Sequence, residues 1–540
     1  MQFNVLVLLL FYIAGFVQAL NPLSIKGNKF FDSKTKKQFF IKGVAYQPRN
    51  GESHLRNNTD VIIDPLTDTA ACKRDAALMK KLGLNLIRVY EVDPSKNHDG
   101  CMQAFESAGI YLLLDIATPK FSINRETPEY DTRLYAAYTK TVDAFLKYNN
   151  IMGFIAGNEV TNDKSNTPAS AFVKAAVRDI KKHIRSNGNK EIPVGYAGND
   201  DGDIRDAIKD YFACGAEEEQ ADFFGVNMYE WCGRSSFQKS GYAERTKEFT
   251  GYTKPVFMSE YGCNLVTPRP FTEVEAIYGP EMTGVWSGGV VYEWSQEQNN
   301  YGLVQITPDG KAKPLTDYHN LQKALAQVGS DDELAENAAT MDDIKTSSNV
   351  SCPSASDQWK ASTKLPPTPS DEACNCMRDN LSCMASDKVI GTNGKITSAV
   401  GEQIDMLCGM VSCDDISNDG EKGRYGAYAF CSPTEKLSYL YHLYMENNKD
   451  GKCDFDGNAK VAKPKRSDMN NCSKLAPSSN GGSGGGSSSN HGKDNGDPGS
   501  SSSTTSDAGS SCLLQYSPAA AVGALSTALA CFLAIMIITT

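Results

Sequence analysis

Met152-Gly-Phe-Ile-Ala-Gly-Asn-Glu159 is apolar for most of its length and turns polar only at its carboxyl end. Ile110-Tyr-Leu-Leu-Leu-Asp115 follows the same rule. In a closed parallel barrel the apolar part of each strand fills the interior, and the carboxyl ends open into the site. Outward from these two runs, eight β-rich stretches recur: 39–47, 85–91, 110–117, 152–159, 193–198, 223–231, 255–261 and 288–294. Helical stretches with apolar residues at three- and four-residue spacing separate them, at 72–82, 134–148, 170–185 and 272–282. Strands alternating with helices indicate crossover units and a parallel sheet. Eight such units predict an α/β fold, a (β/α)8 TIM barrel over residues 20–330.

The flanks set the context. Residues 1–19 end in Val17-Gln18-Ala19 and read as a secretory signal peptide, although the usual amino-terminal Lys or Arg is missing. An apolar segment from about Ala519, preceded by small residues, reads as a GPI-attachment signal spanning 512–540 that is removed on anchoring. Ser506, Asp507 and Gly509 are equal candidates for the attachment residue. Residues 331–372 are acidic and carry Ser and Pro, as a linker or as coil packed between domains. Between 474 and 511 the chain is Ser/Gly-rich, too poor in apolar residues to order itself, and acts as a spacer.

The 16 cysteines of this 540-residue chain, on a secreted protein, imply disulfides rather than metal thiolates. Eight of them, Cys374, Cys376, Cys383, Cys408, Cys413, Cys431, Cys453 and Cys472, fall in residues 373–473 and mark a small disulfide-rich module. Spacing alone leaves their connectivity open. Sequons at Asn57, Asn349, Asn380 and Asn471 suit passage through a glycosylating pathway. The net charge of −11 argues against a nucleic-acid partner, which needs concentrated Lys and Arg. No metal is expected, because the six histidines are scattered and no His-Glu-x-x-His occurs. No phosphate-cradling glycine motif is present either, so no cofactor is expected.

Strands four and seven each end in a glutamate, Glu159 in Gly157-Asn-Glu159 and Glu260 in Met258-Ser-Glu-Tyr-Gly262. Retaining glycosidases need two carboxyl groups about 5 to 5.5 Å apart, one to protonate the leaving oxygen and one to attack the anomeric carbon. A single strand-end glutamate is as readily a salt bridge or a loop cap. Two at these positions in one bowl point to chemistry.

Lys42-Gly-Val-Ala-Tyr-Gln47, Asn85-Leu-Ile-Arg-Val-Tyr90, Gly157-Asn-Glu159, Val226-Asn-Met-Tyr229, Ser259-Glu-Tyr-Gly262 and Val291-Tyr-Glu-Trp294 carry a resemblance to a known family. The chain resembles the fungal GPI-anchored β-1,3-glucanosyltransferases of glycoside hydrolase family 72. Its Cys-rich region is similar to a family 43 carbohydrate-binding module. The resemblance implies Glu159 as general acid/base and Glu260 as nucleophile. It also implies barrel disulfides Cys72 with Cys101 and Cys232 with Cys263, and a further pair, Cys214 with Cys352.

Several more residues are expected at the site. Glu260 must stay ionised, helped by a hydroxyl donor such as Tyr229. Glu159 must hold a proton, its pKa raised by the neighbouring charge of Glu260. The resemblance puts Asn158 against a sugar 2-hydroxyl. Tyr90, Tyr229, Tyr292 and Tyr301 supply rings to stack on sugars. Gln47, Asp115, Asn199 and Asp200 also fall at strand ends and are expected to line the cleft.

The leading expectation is therefore transfer between β-1,3-glucan donor and acceptor chains, by a monomer held at the cell surface through a GPI lipid on the outer leaflet or in the wall. Endo-hydrolysis with the same carboxylates is the alternative. A non-catalytic glucan adhesin is the third reading, and loss of either glutamate would be its mark. The Cys-rich module either binds glucan or supports the fold of the barrel.

Overall fold

A computed structural model describes residues 20–49, 62–188, 191–336, 338, 340–344, 350–390, 397–448, 450–465 and 469–475. The signal segment 1–19, Asn57, Asn349, the stretch from 476 through the spacer with Ser506, Asp507 and Gly509, and the 512–540 tail lie outside the described residues.

The described chain opens with an antiparallel hairpin, β1 (Leu23–Lys26) and β2 (Lys29–Asp32). The barrel strands are β3 (Ile41–Ala45), β4 (Leu86–Val89), β5 (Tyr111–Asp115), β6 (Ile151–Asn158), β7 (Val194–Asn199), β8 (Phe224–Asn227), β9 (Val256–Tyr261) and β10 (Trp286–Val291). Alternating with them run α1 (Thr69–Leu82), α2 (Asp99–Ala108), α3 (Thr132–Phe145), α4 (Ala169–Ser186), α5 (Arg205–Ala213), α6 (Tyr242–Glu248), α7 (Glu273–Ile277) and α8 (Pro280–Thr283). All neighbouring strands pair in parallel, and β10 returns to β3, which closes an eight-stranded TIM barrel.

Ile41, Leu86, Leu113, Met152, Ile155, Ala197, Phe257 and Val290 form one buried cluster inside the barrel. The sequence reading missed what covers the amino end. Phe30 of β2 lies 6.2 Å from the rings of both Phe223 and Phe257, so the hairpin plugs the bottom of the barrel with an apolar side chain. Two short strands gave no periodicity long enough to announce themselves.

Local chemistry sets the helix ends. Asp68 accepts from the backbone N–H groups of Ala70 and Ala71, both at 3.0 Å, and so satisfies two orphan donors at the start of α1. Gly83 ends that helix with φ 76°, a left-handed conformation that costs glycine little. The single helix expected over 272–282 is instead two, α7 and α8. Gly279 is extended (φ −86°, ψ 168°) because the ring of Pro280 disfavours helical geometry in the residue before it.

Beyond β10 come a hairpin, β11 (Val304–Ile306) with β12 (Ala312–Pro314), then α9 (Thr316–Val328) and α10 (Asp331–Glu336). The stretch expected as linker or packed coil therefore begins with a helical turn, and Lys42 pairs with Asp331 at 2.9 Å. Trp359 and Leu365 of the same stretch are buried, which excludes a free linker there.

A second compact unit comprises residues from 355 onward together with 123–136 and 165–176. Its helices are α11 (Asp371–Asp379), α12 (Asp387–Ile390), α13 (Ser398–Cys408), α14 (Pro433–Asn447) and α15 (Met469–Cys472). Two small antiparallel pairs complete it, β13 (Cys383–Ala385) with β16 (Ala459–Val461) and β14 (Asn418–Asp419) with β15 (Arg424–Tyr425). A capping box between Ser432 and Glu435, with Pro433 in the first turn, starts α14. Leu407, Leu437 and Leu440 sit in its core.

Seven disulfides join cysteines among the described residues. Cys72–Cys101, Cys214–Cys352 and Cys232–Cys263 lie in the barrel unit. Cys374–Cys431, Cys376–Cys472, Cys383–Cys453 and Cys408–Cys413 staple the module. One expected sequon is corrected. Asn380 is buried and its Nδ2 donates to Cys376 O at 2.9 Å, so a glycan on that nitrogen and this packing exclude each other. Asn471 is exposed, and its side-chain oxygen accepts from Lys474 at 3.0 Å.

Candidate active site

Side chains of consecutive strand residues point to opposite faces. Yet the site uses consecutive residues twice, Asn158 with Glu159 and Ser259 with Glu260. Two irregularities make this possible. Pairing between β6 and β7 shifts register between Ile155 and Asn158, and Glu159 takes a left-handed φ of 49°. Pairing between β8 and β9 shifts where Val226 meets Met258 but Asn227 meets Glu260, leaving Ser259 as the extra residue. Such bulges re-aim a side chain, and a left-handed non-glycine residue costs of order 1 to 3 kcal/mol that the surroundings must offset.

Asn227, at the end of β8, registers the result. Its Nδ2 donates to Asn158 Oδ1 at 3.1 Å and to Glu159 Oε1 at 2.8 Å. Its Oδ1 accepts from Ser259 Oγ at 2.8 Å. One amide thus fixes both bulged segments against each other.

Arg88, wholly enclosed in β4, ties the same groups from below. Its guanidinium donates to Asp115 at 3.1 and 2.9 Å, to Asn158 Oδ1 at 2.9 Å and to Glu260 Oε1 at 3.3 Å. A buried cation needs such partners, since an unpaired charge out of water is costly. Asp115 is therefore spent on Arg88 rather than offered to a ligand.

Glu260 accepts from Tyr90 at 2.9 Å through one oxygen and from Tyr229 at 2.8 Å through the other. Burial, followed by the charge of Glu159, pushes its pKa up to about 6, against the opposing pull of Arg88 and the two phenols. Glu260, expected to stay ionised, is thus held in surroundings that resist its charge. Burial first, then the charge of Glu260, holds both phenols well above the ordinary tyrosine value, so they remain donors.

Tyr292 and Tyr301 complete an aromatic wall. Ring centroids lie 6.5 Å apart for Tyr90 and Tyr292, 5.2 Å for Tyr292 and Tyr301, and 5.9 Å for Tyr301 and Tyr229. The edge-on rings leave faces against which an apolar sugar face can pack.

The remaining sequence candidates do other work. Gln47 is buried. Its side-chain oxygen accepts from the N–H groups of Tyr90 and Glu91, both at 3.1 Å, and its nitrogen donates to Ile63 O at 2.7 Å. It braces the loop after β4. Asn199 donates to Asn162 O at 2.8 Å. Asp200 pairs with Arg205 at 2.9 Å and belongs to an ionic cluster with Arg245, Glu248 and Glu230, whose pKa burial and then Asp200 push up to about 7.

Sequence reasoning overlooked Arg88, Asn227 and Ser259 as site residues. A charged residue within the apolar run Leu86-Ile-Arg-Val89 was the available signal, because a charge is almost never buried without a partner.

A closed parallel barrel whose carboxyl face holds two electrostatically coupled glutamates, walled by tyrosines, defines a carbohydrate-active enzyme. A family model described as Glucanosyltransferase matches residues 13–329, and one described as X8 domain matches 381–460. A 1,3-beta-glucanosyltransferase of Arthroderma benhamiae is 42% identical over 503 residues, spanning 88% of this chain and 89% of that protein. The 1,3-beta-glucanosyltransferase GAS2 of Saccharomyces cerevisiae is 46% identical over 430 residues, spanning 78% and 76%. A solved structure of Saccharomyces cerevisiae Gas2p in complex with laminaritriose and laminaritetraose superposes with a TM-score of 0.74 at 43% identity, covering 82% of this chain and 97% of that one. The chain belongs to the glucanosyltransferase family.

Proposed function

We propose that the chain is a retaining β-1,3-glucanosyltransferase. In the first step an oxygen of ionised Glu260 bonds to the anomeric carbon of the donor. The glycosidic carbon–oxygen bond breaks, and Glu159 passes its proton to the departing oxygen. In the second, a hydroxyl of another glucan chain loses its proton to Glu159 and attacks the same carbon, which frees Glu260. Arg88 and the two phenols stabilise the carboxylate that attacks, and Asn227 orients the acid.

The single observation that carries this reading is the shared Arg88–Asn227 network, which binds the segments bearing Glu159 and Glu260 into one site. The relative whose solved structure holds laminari-oligosaccharides supports the choice of β-1,3-glucan. Incubation of the protein with a reduced laminari-oligosaccharide, followed by sizing of the products, tests it. Products longer than the donor require transfer; shorter products alone would assign it to hydrolysis. Glu159→Gln and Glu260→Gln should each lose activity by about 1,000-fold or more.

The X8 region is proposed as a family 43 carbohydrate-binding module. The apolar segments of the sequence further support carriage to the cell surface on a GPI lipid, checked by release with a phosphatidylinositol-specific phospholipase; the chain is proposed to be a monomer, checked by sedimentation.

A further inference from the structure

Tyr292 and Tyr301 sit on different segments, the end of β10 and the loop before β11, and phenol rings on loops keep a fixed spacing only if the backbone beneath them is fixed. Arg269, on the loop after β9, supplies that fixation. It is almost wholly buried. Its Nη1 donates to Tyr292 O at 2.6 Å and to Gly262 O at 3.1 Å, and its Nη2 donates to Tyr301 O at 2.5 Å. Its Nε donates to Asp317 Oδ2 at 2.6 Å, and Asp317 Oδ1 accepts from its backbone N–H at 3.1 Å. The guanidinium carbon also lies 5.6 Å from the centre of the Tyr301 ring.

We propose that Arg269 is a positioning residue for glucan binding, acting through the Tyr292–Tyr301 pair. The proposal rests on the glucanosyltransferase reading for the identity of the ligand. One planar cation gathers the carbonyls of three segments: the end of the strand that carries Glu260, and the two segments that carry the rings. Only a guanidinium has enough donors in a rigid plane for this, because an ammonium presents three donors from one point. Asp317 neutralises the buried charge and sets its rotation. None of these contacts touches Glu159 or Glu260, so the clamp governs where the sugar-facing wall stands rather than the bond-breaking step.

The effect therefore belongs to binding. Arg269→Gln in the full chain is expected to raise KM for a laminari-oligosaccharide by about 10-fold while kcat stays within about 3-fold, with Arg269→Lys in between. The Kd for the same oligosaccharide, read by titration calorimetry, should weaken in parallel. A cycle with Tyr301→Ala separates positioning from general loosening. If Arg269 acts through the ring, the double variant binds no worse than the weaker of the two single variants. Multiplying effects, or a lowered melting temperature with KM and Kd unmoved, would overturn the proposal. Should Arg269→Gln fail to fold, Asp317→Asn replaces it, with the same expected weakening and the same overturning result. A wild-type chain that binds the oligosaccharide but makes no longer products sinks the transferase reading and leaves this inference standing. A wild-type chain that binds none sinks the inference.

Discussion

A carboxyl that attacks carbon has to be charged, and the enclosed site of Glu260 opposes that charge. Its folded value of about 6 lies above the ordinary 4.5, so the folded state holds the proton more tightly than the unfolded chain does. The stability from this preference is present below the unfolded value and is lost as pH rises through the folded one. Across that window the wild type loses about 2 kcal/mol that a Glu260→Gln variant does not lose. Denaturant unfolding at about pH 4 and about pH 7 checks this: the variant should gain on the wild type at the higher pH, and an unchanged difference would refute it. Tyr229→Phe removes a donor to the ionised form, so the pKa of Glu260 rises further. The acid limb of kcat/KM is then expected to move to higher pH, read from rate profiles of both proteins.

At the scale of elements, the site is a product of strand irregularity. The bulges in β6 and β9 turn Asn158, Glu159 and Ser259 toward one amide, Asn227, and leave Glu260 bonded to Arg88. The seam that closes the barrel is equally specific. Gly288 of β10 has φ 91°, and a Cβ there would stand 2.2 Å from Ile41 O of β3. Gly288→Ala is thus expected to cost about 3 kcal/mol or more, through backbone strain added to a clash with backbone. The yield and melting temperature of soluble protein measure it. By contrast, Asp68→Ala removes only a helix cap, and should cost about 1 kcal/mol with activity retained.

Both units combine an apolar core with disulfides, three in the barrel unit and four around the core of the module. Cross-links that close longer loops remove more entropy from the unfolded chain. Cys376–Cys472 separates its ends by 96 residues and Cys408–Cys413 by only 5. Replacing the first pair by serine should cost about 4.7 kcal/mol and the second about 2 kcal/mol, on the chain-entropy relation. Equal melting temperatures for the two double variants would contradict that ordering.

All eight barrel strands were legible in the sequence, because a strand buried on both faces must be an unbroken apolar run and the run itself is the signal. The paired glutamates were legible for a related reason: each interrupts such a run at its carboxyl end, as in Phe154-Ile-Ala-Gly-Asn-Glu159. Arg88, Asn227 and Arg269 were not, since what they do depends on carbonyls and carboxylates contributed by segments far away along the chain. The break between α7 and α8 at Pro280 could have been read, as its proline is local, whereas the burial of Asn380 could not. By itself the sequence determined the barrel, its two acidic strand ends and the stapled module, through periodicity and residue type that act over a few neighbours. Only the tertiary structure decided that burial pushes Glu260 up, which amide joins the two bulged segments and which cation fixes the tyrosine wall. Those outcomes depend on distances between residues that periodicity does not relate.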